Sequence, residues 1–265
     1  MKKIKAGEIQ IQPWGILALI YVLLICPGSL CYGQVSAYDG FESGNLSNIW
    51  NTSRMVANSI EFQSEIVRKG KMAAKITVRT NDTFEAGKST SAPTERDELL
   101  QAAPYAPQEG SKYEYEFSLF LPKDFPIVNT RLVLAQWKQY CPGGEKAPCS
   151  DDSPVIAVRY VAGELYVTLN TDSGTKKLYR LTDEIRNKWL DFKFLIRFSR
   201  QNDGEIAAFL NDKEIIDFKG VTSYSGSHGY ASKSRYYFKM GLYRDIMSEP
   251  MTIYIDEFRM REILN

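Results

Sequence analysis

The sequence predicts an all-β protein, a sandwich of two antiparallel sheets, and three observations carry that prediction. Some thirteen short runs alternate apolar and polar residues at strand period. Turn signals stand between them, and only one short segment looks helical. The hydrophobic fraction of 44% suffices for one sizeable core, and nothing after Val35 reads as a linker, repeat or low-complexity stretch. Many short strands with almost no helix fit a β-sandwich of the jelly-roll kind.

In chain order the expected strands cover 59–67, 73–80, 96–101, 112–121, 131–139, 155–161, 164–170, 176–181, 190–199, 205–210, 214–218, 235–243 and 251–260. Their punctuation is that of hairpins. Ala162-Gly163 joins one pair of runs, Asn202-Asp203-Gly204 a second and Asn211-Asp212 a third. The helical exception is 182–188, with Thr182 or Asp183 as cap ahead of Glu184.

The N-terminus predicts an address. Met1-Lys2-Lys3-Ile4-Lys5 precedes an apolar run over 16–25, and small and polar residues follow as far as Gly33-Gln34. A positive start, a short apolar stretch and a small residue at the break describe a secretory signal over 1–33. The apolar run falls short of the roughly 20 residues a spanning helix needs. Cys26 and Cys31 lack preceding small residues and make poor lipoprotein sites. The expectation is a secreted or periplasmic protein, off the membrane once the signal is cleaved, with one domain over 34–265. The mature chain keeps Cys141 and Cys149, eight apart in a Pro/Gly-rich stretch. That spacing suits a loop-closing disulfide, with a metal pair as the alternative that no histidine or carboxylate cluster supports. Asn51-Thr52-Ser53 and Asn81-Asp82-Thr83 match glycosylation sequons.

Charge excludes one class of function. With 33 basic against 32 acidic side chains there is no general pull toward nucleic acid, so any anion must be recognised by local placement. The run Tyr236-Tyr237-Phe238-Lys239-Met240-Gly241-Leu242-Tyr243-Arg244 provides such a placement. At strand period Arg235, Tyr237, Lys239, Gly241 and Tyr243 share one face, while Tyr236, Phe238, Met240 and Leu242 share the other. The first face reads as a groove for an anionic polymer, with Gly241 letting a ligand approach the backbone. Two further segments alternate similarly. Arg96 and Glu98 point one way in Arg96-Asp97-Glu98-Leu99, and Gln136 and Lys138 share a face against Ala135 and Trp137.

These three segments resemble the signature blocks of the jelly-roll polysaccharide lyases, the superfamily of alginate lyases, heparin lyase I and glucuronan lyases. Arg96 to Leu99 matches Arg-x-Glu-Leu. Gln136-Trp137-Lys138 stands for Gln-x-His, and Tyr237 to Tyr243 matches Tyr-Phe-Lys-x-Gly-x-Tyr. Asp39-Gly40-Phe41-Glu42, Trp189-Leu190-Asp191-Phe192, Gly204 with Phe209-Leu210-Asn211, and Tyr254-Ile255-Asp256 extend the likeness over nearly all of the mature chain. The resemblance implies a concanavalin A-like sandwich with a concave substrate groove. It implies a monomeric lyase that cleaves a uronate-containing polysaccharide by β-elimination without a required cofactor.

Elimination removes the C5 proton beside a carboxylate whose charge opposes carbanion formation. The site must therefore neutralise that carboxylate, supply a base and protonate the leaving oxygen. By resemblance Tyr243 is base and acid, with Gln136, Arg96 and Lys138 on the carboxylate. A phenol with an ordinary pKa near 10 needs cations beside it, and Lys239, Arg96 and Arg244 are the candidates. Lys239, Glu98, Arg235, Tyr237 and Arg244 are expected around the substrate, Glu98 chiefly orienting Arg96. Lys138 replaces a family histidine, which suits a tyrosine-only syn-elimination and not an anti-elimination needing histidine. The only histidine, His228, lies in the loop before the third block. Asp151-Asp152 offers oxygen ligands for a structural calcium, against the plainer reading of a solvated loop. Trp137 and Trp189 read as core aromatics. A lectin-like relative without turnover is the alternative function. Hydrolysis by paired carboxylates ranks last, because the three blocks carry no suitable acidic pair.

Overall fold

Fifteen strands in two antiparallel sheets make up the architecture, seen in a computed structural model that describes residues 35–83, 94–142, 149, 153–231 and 233–264. The expected signal over 1–33 and the Asp151-Asp152 pair lie outside the described residues. The strands are β1 (Ser36–Asp39), β2 (Trp50–Asn51), β3 (Ile60–Gln63), β4 (Ala73–Val78), β5 (Thr94–Gln101), β6 (Lys112–Phe120), β7 (Leu132–Gln139) and β8 (Ile156–Val161). There follow β9 (Glu164–Thr171), β10 (Gly174–Leu181), β11 (Trp189–Arg197), β12 (Glu205–Leu210), β13 (Lys213–Lys219), β14 (Tyr236–Asp245) and β15 (Met251–Ile263). One sheet runs β13-β12-β11-β6-β15-β4-β3 with β1 paired to β15. The other runs β10-β9-β8-β7-β14-β5-β2.

Alternation explains how the sheets meet. Phe117 of β6, Phe194 of β11 and Phe258 of β15 face Trp137 of β7 and Phe238 of β14, all fully buried. Trp137 lies 4.8 Å from both Phe194 and Phe238, and Phe238 lies 5.7 Å from Phe258, measured between ring centroids. Trp137 is thus a core residue, and each such aromatic contributes about 1.5–3 kcal/mol by leaving water. Trp189 sits at the margin against Phe120, 5.5 Å between centroids.

Two hairpins show why their turn residues are there. Ala162 and Gly163 (φ 52° and 86°), and Asn211 and Asp212 (φ 50° and 62°), take left-handed backbone as a two-residue hairpin with the sheet's twist demands. Two flanking motifs are explained by buried carboxylates. Asp39 accepts from the Phe41 amide (2.8 Å), Ser47 (2.7 Å) and the Trp50 indole (2.9 Å). Asp256 accepts from the amides of Arg68, Lys69 and Glu257 (2.9, 3.1 and 2.8 Å).

Residues 182–188 do not form the expected helix. They make a bend and turn, with Ile185 buried and Asn187 at φ 60°. Arg186 bonds the Phe125 carbonyl (3.1 Å) as well as Glu184, and seven residues are too few to repay helix nucleation. The short β1 and β2 were not among the expected strands.

Gly241 also differs from expectation. Its φ is 144°, and an added Cβ would lie 2.2 Å from the Asp97 carbonyl oxygen and 2.8 Å from the Glu98 Cα. The chain that approaches this glycine is β5, not a ligand. Gly241→Ala should therefore cost stability by at least about 1–3 kcal/mol from backbone strain alone. Urea unfolding reads this directly; a midpoint unchanged from wild type would show that β5 and β14 can separate freely.

Candidate active site

Strand pairing assembles the three blocks. β14 lies between β5 and β7, with Tyr243 opposite Arg96 and Val133, Gly241 opposite Glu98, and Lys239 opposite Leu100 and Gln136. Opposed residues share a face, so Arg96, Glu98, Gln136, Lys239 and Tyr243 all project away from the core. Between Met240 and Tyr243 the pairing with β7 shifts, and such an irregularity re-aims the side chains beside it.

Glu98 is the hub of this face. Its carboxylate, 1% exposed, accepts from Lys239 Nζ at 2.9 Å and from Gln136 Nε2, and Arg96 Nε lies 3.3 Å away. Burial alone would raise the Glu98 pKa, but the charges of Lys239 and Arg96 and the bonds from Lys239 and Gln136 outweigh it and hold it low. Lys239, 3% exposed, is pushed down to about 8. Burial is the main cause, Glu98 opposes it, and the like charges of Arg96 and Lys138 add to it. Gln136 is buried as well. Lys239, Glu98 and Gln136 thus form a buried layer rather than the exposed contacts that alternation suggested.

Tyr243 lies beyond this layer, half-buried. The Arg96 guanidinium carbon sits 4.3 Å from its ring centroid, within cation–π range. Arg131 Nη1 donates to the Tyr243 hydroxyl at 3.3 Å, and its guanidinium carbon lies 5.7 Å from the ring centroid. Arg131 is held in turn by Asp245 at the end of β14. Nε and Nη2 bond Asp245 Oδ1 at 2.9 and 2.7 Å, and the Arg131 amide bonds Oδ2 at 3.0 Å. The hydroxyl therefore faces a fixed cation that sequence reasoning did not select. Arg131 stands just outside an apolar run, and only the β7–β14 register shows that it meets Tyr243 and Asp245.

The remaining candidates spread out from this pair. Lys138, opposite Tyr237, continues the same face beyond Gln136, and both are half-buried. Arg235 is exposed just ahead of β14 and donates to the Ala103 carbonyl at 2.8 Å. Arg244 does not join the groove. It points into the core, fully buried, with Nε and Nη2 at 2.8 and 2.7 Å from Glu95 Oε2. The next residue after a groove-facing tyrosine must face inward, and Glu95 on β5 is its inward neighbour. His228 bonds Asp172 at 3.0 Å through Nδ1, tied to the β9–β10 turn. Cys141 and Cys149 are joined in a disulfide with Cα atoms 6.1 Å apart. Among the described residues no group of three or more histidine, cysteine or acidic side chains could hold a metal ion, and no helix is long and apolar enough to cross a membrane.

Comparison with known proteins places this arrangement. A family described as "Polysaccharide lyase" matches residues 41–259. No curated protein sequence matches the chain. Among solved structures it is similar to an endo-β-1,4-glucuronan lyase from the fungus Trichoderma reesei, with a TM-score of 0.66 and 17% identity over 86% of this chain and 95% of that one. It is also similar to the family 7 alginate lyase A1-II′ (TM-score 0.54, 15% identity, 79% of this chain and 84% of that one). A third likeness is to the family 7 alginate lyase AlgAT5 (TM-score 0.51, 17% identity, 80% and 86%). At such identities the structures establish a shared fold, and the family match establishes kinship: the chain belongs to the polysaccharide lyase family, on a jelly-roll β-sandwich.

Proposed function

We propose that this protein is an exported lyase that cleaves a uronate-containing polysaccharide by β-elimination, with Tyr243 as base and then acid. The observation that carries the reading is the pairing of Tyr243 with two guanidiniums, Arg96 against its ring and Arg131 on its hydroxyl. They place two positive charges beside the phenol that this scheme uses as its base. The phenolate takes the C5 proton of the uronate, the released electron pair forms the C4–C5 double bond, and the C4–O bond breaks. The leaving oxygen takes the proton back from the same phenol. No water is consumed, and one phenol serving both steps requires proton and leaving group on one face of the sugar.

Arg96 and Lys138 supply positive charge to the substrate carboxylate in this scheme. Gln136 and Lys239 act through Glu98, which fixes Arg96 over the ring. This assignment needs no histidine, in keeping with Lys138 in the second block and with His228 bound to Asp172. Hydrolysis would need two carboxyl groups flanking the bond. On this face Glu98 is buried under three nitrogen groups and Asp245 is bound to Arg131, which disfavours that class. The disulfide fits an oxidising compartment and supports residues 1–33 as an export signal. The likeness to a glucuronan lyase makes a β-1,4-linked glucuronan the first polymer to try. A lectin-like relative is the second reading, favoured by the lysine at 138 where the family has histidine.

Tyr243→Phe tests the central role. It should lower the rate of unsaturated-product formation by about a hundred- to ten-thousand-fold while leaving the thermal unfolding curve in place. A variant that keeps full rate would remove Tyr243 from the chemistry. Arg131→Met should cost about ten- to a hundredfold in kcat, the worth of a charge-assisted hydrogen bond, with KM and the thermal unfolding curve little changed. A lower rate with a matching loss of thermal stability would mean that Arg131 is structural, and an unchanged kcat would remove it from the chemistry.

A further inference from the structure

The outward face of the second sheet continues past Tyr243 on the side of β8, β9 and β10, where none of the three blocks reaches. Cross-strand register aligns Tyr243 with Val133, Val133 with Arg159, Arg159 with Tyr166 and Tyr166 with Arg180. These residues form one row across the strands. Arg159 stands two strand spacings from Tyr243, about 9–10 Å. Val133 between them is buried and uncharged, so it brings no carboxylate that could neutralise Arg159.

Arg159 differs from the other arginines around this row. Arg131 has Asp245, Arg96 has Glu98, and Arg180 has Glu164. Arg159 is half-buried, and its one hydrogen bond among the described residues is a long one from Nε to Thr168 Oγ1 at 3.4 Å. Among the described residues both of its terminal NH2 groups lack a protein acceptor and no carboxylate lies within ion-pair distance. A partly desolvated guanidinium with its fork unfilled is suited to a carboxylate held by two parallel hydrogen bonds. Beyond it, Lys177 Nζ sits 4.1 Å from the centroid of the Tyr166 ring, adding a second cation and an aromatic surface to the row. The row thus has cationic sites at two points, with an apolar gap between them.

We propose that Arg159 forms a second carboxylate-binding subsite, which takes another uronate of the same polymer while the reacting sugar lies at Tyr243. The inference rests on the reading of the protein as a polyuronate lyase and adds where the chain lies: across the strands, from β14 toward β9. The specificity that follows is for runs of acidic sugars rather than for an isolated uronate in a neutral glycan.

The test compares KM for unsaturated-product formation over uronate oligomers of increasing length, for wild type, Arg159→Gln and Arg159→Lys. Wild type should gain affinity once the oligomer is long enough to reach Arg159. Arg159→Gln should lose that gain, shrinking the short-to-long KM ratio by about tenfold or more, the worth of a hydrogen-bonded charge pair. Arg159→Lys keeps the charge without the fork and should recover part of it. Thermal unfolding of both variants checks the fold; if the glutamine variant does not fold, the lysine variant alone must show a reduced ratio. An unchanged ratio, or an equal rise in KM at every length, overturns the subsite and leaves the lyase reading standing. Failure of the wild type to form unsaturated product from any oligomer overturns the lyase reading, and this inference with it.

Discussion

The carboxylate of Glu98 is the interaction on which the site depends. It is buried on the outward face of β5 and collects nitrogen groups from three strands: Arg96 of its own, Gln136 of β7 and Lys239 of β14. A buried anion is tolerated only when charge and hydrogen bonds replace the water it lost, and here Lys239 and Gln136 donate while Arg96 adds its charge. Without Glu98, Lys239 and Arg96 would be like charges crowded beside Lys138 in a desolvated layer. With it, Arg96 is held where its plane covers the Tyr243 ring. The carboxylate thereby converts a sheet register into the position of the cation against the Tyr243 ring.

The same sheet does two jobs by alternation. Inward residues of β14, from Tyr236 to Leu242, lock it onto the aromatic core, and Arg244 with Glu95 continues that face as a buried ion pair. Outward residues carry the polar groups of the candidate site. Gly241 links the two roles, because its missing side chain lets the β5 backbone come close enough to bring Glu98 and Arg96 alongside Lys239 and Tyr243. Rigidity at the floor and openness at Tyr243 are thus set by one strand. That is the preorganisation the proposed elimination needs, since charges fixed before a reaction need not reorganise during it.

Much of this was legible in the sequence. Period-two alternation marks thirteen of the fifteen strands, and the hairpin turns announce themselves through Ala162-Gly163 and Asn211-Asp212. The two remaining strands, Ser36–Asp39 and Trp50–Asn51, are too short for periodicity to register. The outward set Arg96, Glu98, Gln136, Lys239 and Tyr243 follows from alternation once the blocks are recognised. Alternation gives direction and not depth, so Gln136, Glu98 and Lys239 proved to be a buried layer. It also places Arg244 on the core face, where the pull of a nearby cation on Tyr243 had suggested otherwise. Arg131 and Arg159 were invisible for a different reason. Neither belongs to a motif, and each reaches the site only through cross-strand register, which a single sequence does not encode locally.

The chemistry proposed here hinges on a carboxylate that acidifies the neighbouring C–H and is drawn to the guanidiniums around Tyr243. The most direct measurement follows product formation by near-ultraviolet absorbance with a polyuronate and with the same polymer after its carboxyl groups are reduced to alcohols. The account predicts unsaturated product from the first and none from the second. New reducing ends without absorbance, or equal cleavage of both polymers, would contradict it.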